Sequence, residues 1–168
     1  MNMEVKVIDN FLDQSIFENL ESVIMGNEIS WYYLPHVDYE DEEGERFQFT
    51  HAFYKDDQSR SGWFDMMLPL IDKLESKVLV RIKANLLTRT SEHEMHNFHT
   101  DIREIQNKHF YTSIFYMNTN NGYTKFAGGA TVNSIANRMI TFPAEMMHTG
   151  TTCTDQKIRV VINFNYLK

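Results

Sequence analysis

His99-Thr100-Asp101, His148 and Arg159 are the residues whose types and spacing can do chemistry together. On an extended strand alternate side chains share a face, so His99 and Asp101 project to one side and can grip one ion. A third ligand, His148, arrives from a distant strand. Two imidazoles and one carboxylate occupy one face of an octahedron and leave three positions open, which is how non-haem Fe(II) is held for oxygen chemistry. Arg159 follows in the apolar run Ile158 to Tyr166. Alternation there puts Ile158, Val160, Ile162 and Phe164 on one face, and Arg159, Val161 and Asn163 on the other. A guanidinium pointing into a closed sandwich needs an anion, because an unpaired buried cation costs several kcal/mol. Its fork suits a carboxylate.

Each residue alone has a plainer explanation. Arg159 could make a structural salt bridge or sit at a strand edge, and His148 could be an ordinary core histidine; only the joint pattern favours a site. The His-x-Asp pair even has a decoy, His36-Val37-Asp38, trailed by His93 and Arg103. His93 lies in the polar run Thr90 to Glu94 and Arg103 in the polar run Asp101 to Lys108, neither with strand alternation. His93 and His96 lack the His-Glu-x-x-His order of a metalloprotease and read as loop residues at the mouth of the site. Cys153 has no Gly-rich elbow or paired base that would make it a nucleophile.

The elements that must position these residues follow from periodicity. Glu4 to Ile8 alternates as a short strand. Asp9 to Asp13 offer caps, and Ile16, Phe17, Leu20, Val23 and Ile24 fall at helical spacing up to Gly26. Ser30 to Leu34 and Arg46 to Tyr54 read as strands flanking the acidic stretch Asp38 to Glu45, which reads as a solvated loop. Ser61 to Leu74 reads as a helix kinked at Pro69. Strands follow over Val78 to Thr88, Phe98 to Ile102, Phe110 to Met117, Tyr123 to Phe126, Ala130 to Val132, Arg138 to Phe142 and Ile158 to Leu167, with turn signals between them. Short strands after two helices predict a mainly β, α+β chain: a closed sandwich with helical buttresses on one face.

At 168 residues the chain suits one domain, residues 1–168, with one core. No apolar run approaches the roughly 20 residues that span a bilayer, and Met1-Asn2-Met3-Glu4 lacks the start of an export signal, so a cytoplasmic protein with no membrane partner is expected. One cysteine allows no intrachain disulfide and suits a reducing compartment. The formal charge of -7 disfavours a nucleic-acid substrate.

From Ala84 to Tyr166 the chain resembles the 2-oxoglutarate and Fe(II)-dependent dioxygenases, in their prolyl 4-hydroxylase-like branch. The residues that carry the resemblance are His99-Thr100-Asp101, the strand Tyr111 to Asn118 standing where the branch has one ending Tyr-Leu-Asn, and Asn121-Gly122-Tyr123-Thr124 as a variant of a Gly-Gly-x-Leu turn. The strand Arg138 to Pro143 then leads to His148, and the Arg159 strand closes the motif. The resemblance implies a double-stranded β-helix (jelly roll, cupin-like), with iron at His99, Asp101 and His148. It implies the distal carboxylate of 2-oxoglutarate on Arg159, with Tyr116 hydrogen-bonding that carboxylate. The branch often has Tyr-Pro-Gly upstream; here Asn85-Leu86-Leu87-Thr88-Arg89 stands there, Leu87 supplies no phenol, and Asn85 is the candidate to replace the contact. The gap from His148 to Arg159 is slightly long for the branch and calls for a longer hairpin around Thr152 to Gln156.

The function this implies is hydroxylation of a peptidyl, including prolyl, or small-molecule C–H bond, using O2 and releasing succinate and CO2. Two other readings stay open: a metal- or ligand-binding β-helix module without turnover, and a nucleic-acid dealkylase, against which the net charge argues. Trp31-Tyr32-Tyr33 and Phe47-Gln48-Phe49 are expected either in the substrate wall or in the core.

Overall fold

A computed structural model describes residues 4–37, 46–102 and 110–168. The acidic stretch 38–45 lies outside the described residues, and with it Asp38 of the decoy pair; so does Arg103.

Eleven strands run through the described residues: β1 (Lys6–Ile8), β2 (Tyr32–Leu34), β3 (Gln48–Lys55), β4 (Gln58–Ser59), β5 (Val78–Thr88), β6 (Phe110–Tyr116), β7 (Tyr123–Phe126), β8 (Thr131–Asn133), β9 (Arg138–Pro143), β10 (His148–Gly150) and β11 (Ile158–Leu167). Eight form one antiparallel sheet, in the order β1-β9-β6-β11-β5-β3-β2 with β4 hairpinned onto β3, and the other three form a small sheet, β10-β7-β8. The small sheet covers the β6-β9-β11 part of the large one through an apolar cluster of Ile114, Tyr116, Phe126, Ile140, Phe142 and Val161. This is the expected double-stranded β-helix, mainly β with two helices.

Those helices, α1 (Gln14–Ile24) and α2 (Leu68–Leu74), pack on the opposite face of the large sheet. Phe17, Leu20, Val23 and Ile24 from α1, and Leu70 and Leu74 from α2, meet Ile82, Ala84, Phe115, Val160, Ile162, Phe164 and Tyr166. The cause lies in period matching: an apolar stripe every three to four residues on a helix meets an apolar row every second residue on a strand. Pro69 does not kink a longer helix. Phe64–Met67 form a 3-10 turn, and Pro69 sits in the first turn of α2, where no N–H is needed.

Strand bounds for β5, β7 and β11 coincide with the sequence reading, but two expectations fail. Phe98 to Ile102 is not a strand: it holds a single isolated bridge, His99 to His148. Residues 151–157 are not a hairpin either, since β10 belongs to the small sheet and β11 to the large one; the extra length crosses between sheets. Among the described residues no helix is long and apolar enough to cross a membrane.

Candidate active site

The pocket lies between the sheets. Its floor is the inward row of β5 and β11, set by register: Leu87 opposite Arg159, Asn85 opposite Val161, and Lys83 opposite Asn163. Polar side chains on these strands thus share one enclosed wall with the histidines.

His99, Asp101 and His148 bring one ligand atom each to within 4.8 Å of one another. His99 Nε2 lies 3.8 Å from one Asp101 oxygen and His148 Nε2 lies 3.9 Å from the other. These separations suit three ligands around one small ion, each about 2 Å from it. The backbone makes the encounter possible without a strand at His99, because His99 and His148 exchange both N–H···O=C bonds, each 3.0 Å. Each ring is also fixed from its own chain. Nδ1 of His99 bonds the Asn97 carbonyl at 3.1 Å, and Nδ1 of His148 bonds the Met146 carbonyl at 3.0 Å. A carbonyl only accepts, so Nδ1 carries the proton and the Nε2 lone pair faces Asp101, the tautomer a metal requires. Burial pulls the His148 pKa down, which keeps that imidazole neutral.

Asp101 is held from behind. Arg81 Nη2 donates to one carboxylate oxygen at 3.3 Å, and Asn165 Nδ2 to the other at 3.2 Å. Arg81 Nε in turn donates to Asn165 Oδ1 at 3.0 Å, so guanidinium and carboxamide orient each other. Burial pushes the carboxyl pKa up, yet His148 and His99 in their protonated forms at acid pH, the Arg81 guanidinium and the Asn165 hydrogen bond outweigh it and leave Asp101 below the usual carboxylate range. It stays an anion. Sequence reading missed Arg81 and Asn165, although strand alternation puts Asn165 on the face of Arg159 and Arg81 on the face of Asn85.

Arg159 is buried at the other end of the pocket, 3% exposed. Its Nε donates to Ser134 Oγ at 2.9 Å and its Nη2 to Thr124 Oγ1 at 3.4 Å. No carboxylate among the described residues pairs with it. Two glycines make room for it. A Cβ on Gly122 would fall 2.7 Å from Arg159 Cδ, and one on Gly150 would crowd Nη1 at 3.3 Å. Tyr116 spends its hydroxyl on Thr124 at 2.8 Å, and its ring lies 5.7 Å from the guanidinium carbon. It therefore reaches the pocket through Thr124, which lines it. Asn85 lines the pocket directly, and its Oδ1 is buried with no hydrogen-bond partner. Asn163 shares both properties.

Other expected residues fall elsewhere. His96 lies in a loop, as expected, but is buried and lines the pocket. His93 is exposed and bonded to Asn121. His36 is exposed, and with Asp38 and Arg103 undescribed the decoy forms no cluster among the described residues. Tyr32 and Tyr33 are exposed and Trp31 packs against the helical core; none of the three lines the pocket, to which the described residues before β5 contribute Val37 and Gln48. Cys153 is buried, and burial raises its thiol pKa.

No family model matches the sequence, and no curated protein matches it. Solved structures match across almost the whole chain. An oxidoreductase of the 2OG-Fe(II) oxygenase family from Burkholderia pseudomallei superposes with TM-score 0.71 at 9% identity, over 97% of this chain and 84% of that one. A prolyl hydroxylase from Trichoplax adhaerens, in complex with a hypoxia inducible factor peptide fragment, gives 0.62 at 10% identity, over 99% and 84%. HygX from Streptomyces hygroscopicus, with nickel, 2-oxoglutarate and hygromycin B bound, gives 0.61 at 10%, over 98% and 83%. At such identities the likeness is one of fold, and the fold is that of the 2-oxoglutarate and Fe(II) oxygenases, prolyl hydroxylases among them.

Proposed function

We propose that this chain, as one catalytic domain, is an Fe(II) and 2-oxoglutarate-dependent dioxygenase that hydroxylates a C–H bond of a peptide, including a prolyl residue, or of a small molecule. The observation that carries the reading is one pocket holding both a His/His/Asp cluster and a buried arginine that no carboxylate among the described residues meets. The oxygenase fold alone would not distinguish an active enzyme from a silent relative. The donor set fits ferrous iron, since two neutral imidazoles and one carboxylate are its common facial ligands. The cosubstrate fits as well: the Gly122 and Gly150 positions leave Arg159 space, and Asn85 offers an unpaired polar group on the adjacent wall.

Iron bound at His99, Asp101 and His148 would supply the oxygen chemistry that turns 2-oxoglutarate into succinate and CO2 while a C–H bond is hydroxylated. The protein does the positioning. Asn97 and Met146 carbonyls hold both imidazoles in the donor tautomer, and Arg81 and Asn165 fix the Asp101 carboxylate. Arg159, propped by Ser134 and Thr124, would hold the distal carboxylate by a charge-assisted contact, with the Tyr116 ring beside the guanidinium and its hydroxyl on Thr124. Ile114, Leu87 and Val161 give the pocket apolar walls that limit water. Between peptide and small molecule the neighbours speak for both, one holding a peptide and another an antibiotic.

Anaerobic addition of Fe(II) and then 2-oxoglutarate is expected to raise a visible charge-transfer band, and admission of O2 to bleach it with formation of succinate. Absence of the band, or succinate formed by His99→Ala and Asp101→Ala at the wild-type rate, would overturn the proposal.

A further inference from the structure

One cation in the pocket has no role in the machinery above. Lys83 lies on β5 two residues from Arg81 and two from Asn85, faces inward, and lines the same pocket as the metal triad and Arg159. Its register partner on β11 is Asn163, whose Oδ1 is buried and unpartnered. Lys83 makes no hydrogen bond or ion pair among the described residues, with Asn163 or with anything else. Arg81 is occupied by Asp101 and Asn165, and Arg159 is reserved for the cosubstrate. Among the described residues Asp101 is the only acid lining the pocket, and it is taken by Arg81 and the metal position. With ferrous iron and a doubly charged cosubstrate in place, the inward-facing formal charges of the described residues still come out positive.

A half-buried ammonium with no partner is costly to keep. Burial, Arg81 and Lys55 together pull the Lys83 pKa down to about 8, while Asp101 opposes them. A solvated surface lysine has no such cost, and a lysine kept only for packing would be replaced without loss by an apolar side chain. Beside it an acceptor waits for a donor.

Resting on the dioxygenase reading, we infer that Lys83 and Asn163 form the recognition element for the prime substrate: a molecule carrying a carboxylate next to an N–H or O–H donor. Lys83 Nζ meets the carboxylate, and Asn163 Oδ1 accepts from the neighbouring donor. Both sit on the β5-β11 wall between the Asp101 end of the pocket and Asn85, so an acid gripped there holds its attached carbons close to the metal position. The carboxylate can belong to a free small acid or to an acidic side chain of a peptide.

Calorimetric titration of the Zn(II)-loaded chain, saturated with 2-oxoglutarate, reads binding without turnover. One arm uses N-acetylalanine against N-acetylalanine amide; the other uses the capped tripeptide Ala-Glu-Ala against Ala-Gln-Ala. In at least one arm the acid is expected to bind about tenfold or more tightly than its neutral counterpart, a difference of about 1.4 kcal/mol, and the arm that responds identifies the source. Lys83→Met should erase the difference, Lys83→Arg should keep most of it, and 2-oxoglutarate affinity should stay within about twofold in both. Equal binding of acid and amide in both arms by the wild-type chain would overturn the inference without any variant. So would a Lys83→Met loss of 2-oxoglutarate affinity, which would make the amine a cosubstrate contact. The oxygenase reading fails separately, by absence of the Fe(II) charge-transfer band; acid binding through Lys83 without that band would keep the anion site and remove the enzyme.

Discussion

The two faces of β11 are about equally buried and chemically opposite. Toward the helices it presents Val160, Ile162, Phe164 and Tyr166, each fully buried and packed on other apolar side chains. Toward the small sheet it presents Arg159, Val161, Asn163 and Asn165, also buried, of which, among the described residues, Arg159 has no carboxylate partner and Asn163 has an orphan oxygen. Burial by itself therefore says nothing about function on this strand. The informative difference is satisfaction: one face closes its own interactions, and the other leaves polar groups without a partner among the described residues.

His148→Ala should give the largest change, on the ligand face alone: no charge-transfer band and no succinate above the no-enzyme background, with a thermal unfolding midpoint close to wild type. A collapse of the fold in that variant would blur the division between faces. Phe164→Ala should do the reverse, costing about 3–5 kcal/mol by denaturant titration and leaving metal binding intact wherever the chain is folded. Arg159→Met should weaken 2-oxoglutarate about 30-fold, roughly 2 kcal/mol, read by titrating the band, while the ligand-free protein loses no stability because a desolvated charge is removed. Asn163→Ala should change least: unfolding free energy flat or higher by up to about 1 kcal/mol, since the orphan carboxamide goes with the substitution. Destabilisation by more than that would mean the inner face is held together much as the outer one is.

Much of this was legible because β5 and β11 announce themselves. Ten or eleven consecutive strand-forming residues mark both strands, and the period of two then assigns every side chain a face, so Arg159 could be placed inward from sequence. His99 to Asp101 was legible as a motif but not as a structure. Its conformation depends on pairing with β10, and β10 is only His148–Gly150, too short to show any period. Arg81 and Asn165 were hidden for a different reason: their contact to Asp101 is a tertiary meeting of β5, β11 and a loop, which no local pattern encodes. Pro69 misled because a proline inside an apolar stripe reads as a kink, whereas the preceding 3-10 turn puts it at a helix start.

The isolated bridge between His99 and His148 has a consequence for motion. The two His99–His148 backbone hydrogen bonds are joined along the same seam by His96 N–H to the Gly150 carbonyl and Thr149 Oγ1 to the His96 carbonyl, a modest stabilisation for a loop laid on a three-residue strand. An ion coordinated by both side chains would act as a clasp across that seam, binding the closed form and not the opened one. Metal loading would then decide how often the pocket mouth breathes, and the protein would guard its site most tightly when the site is armed.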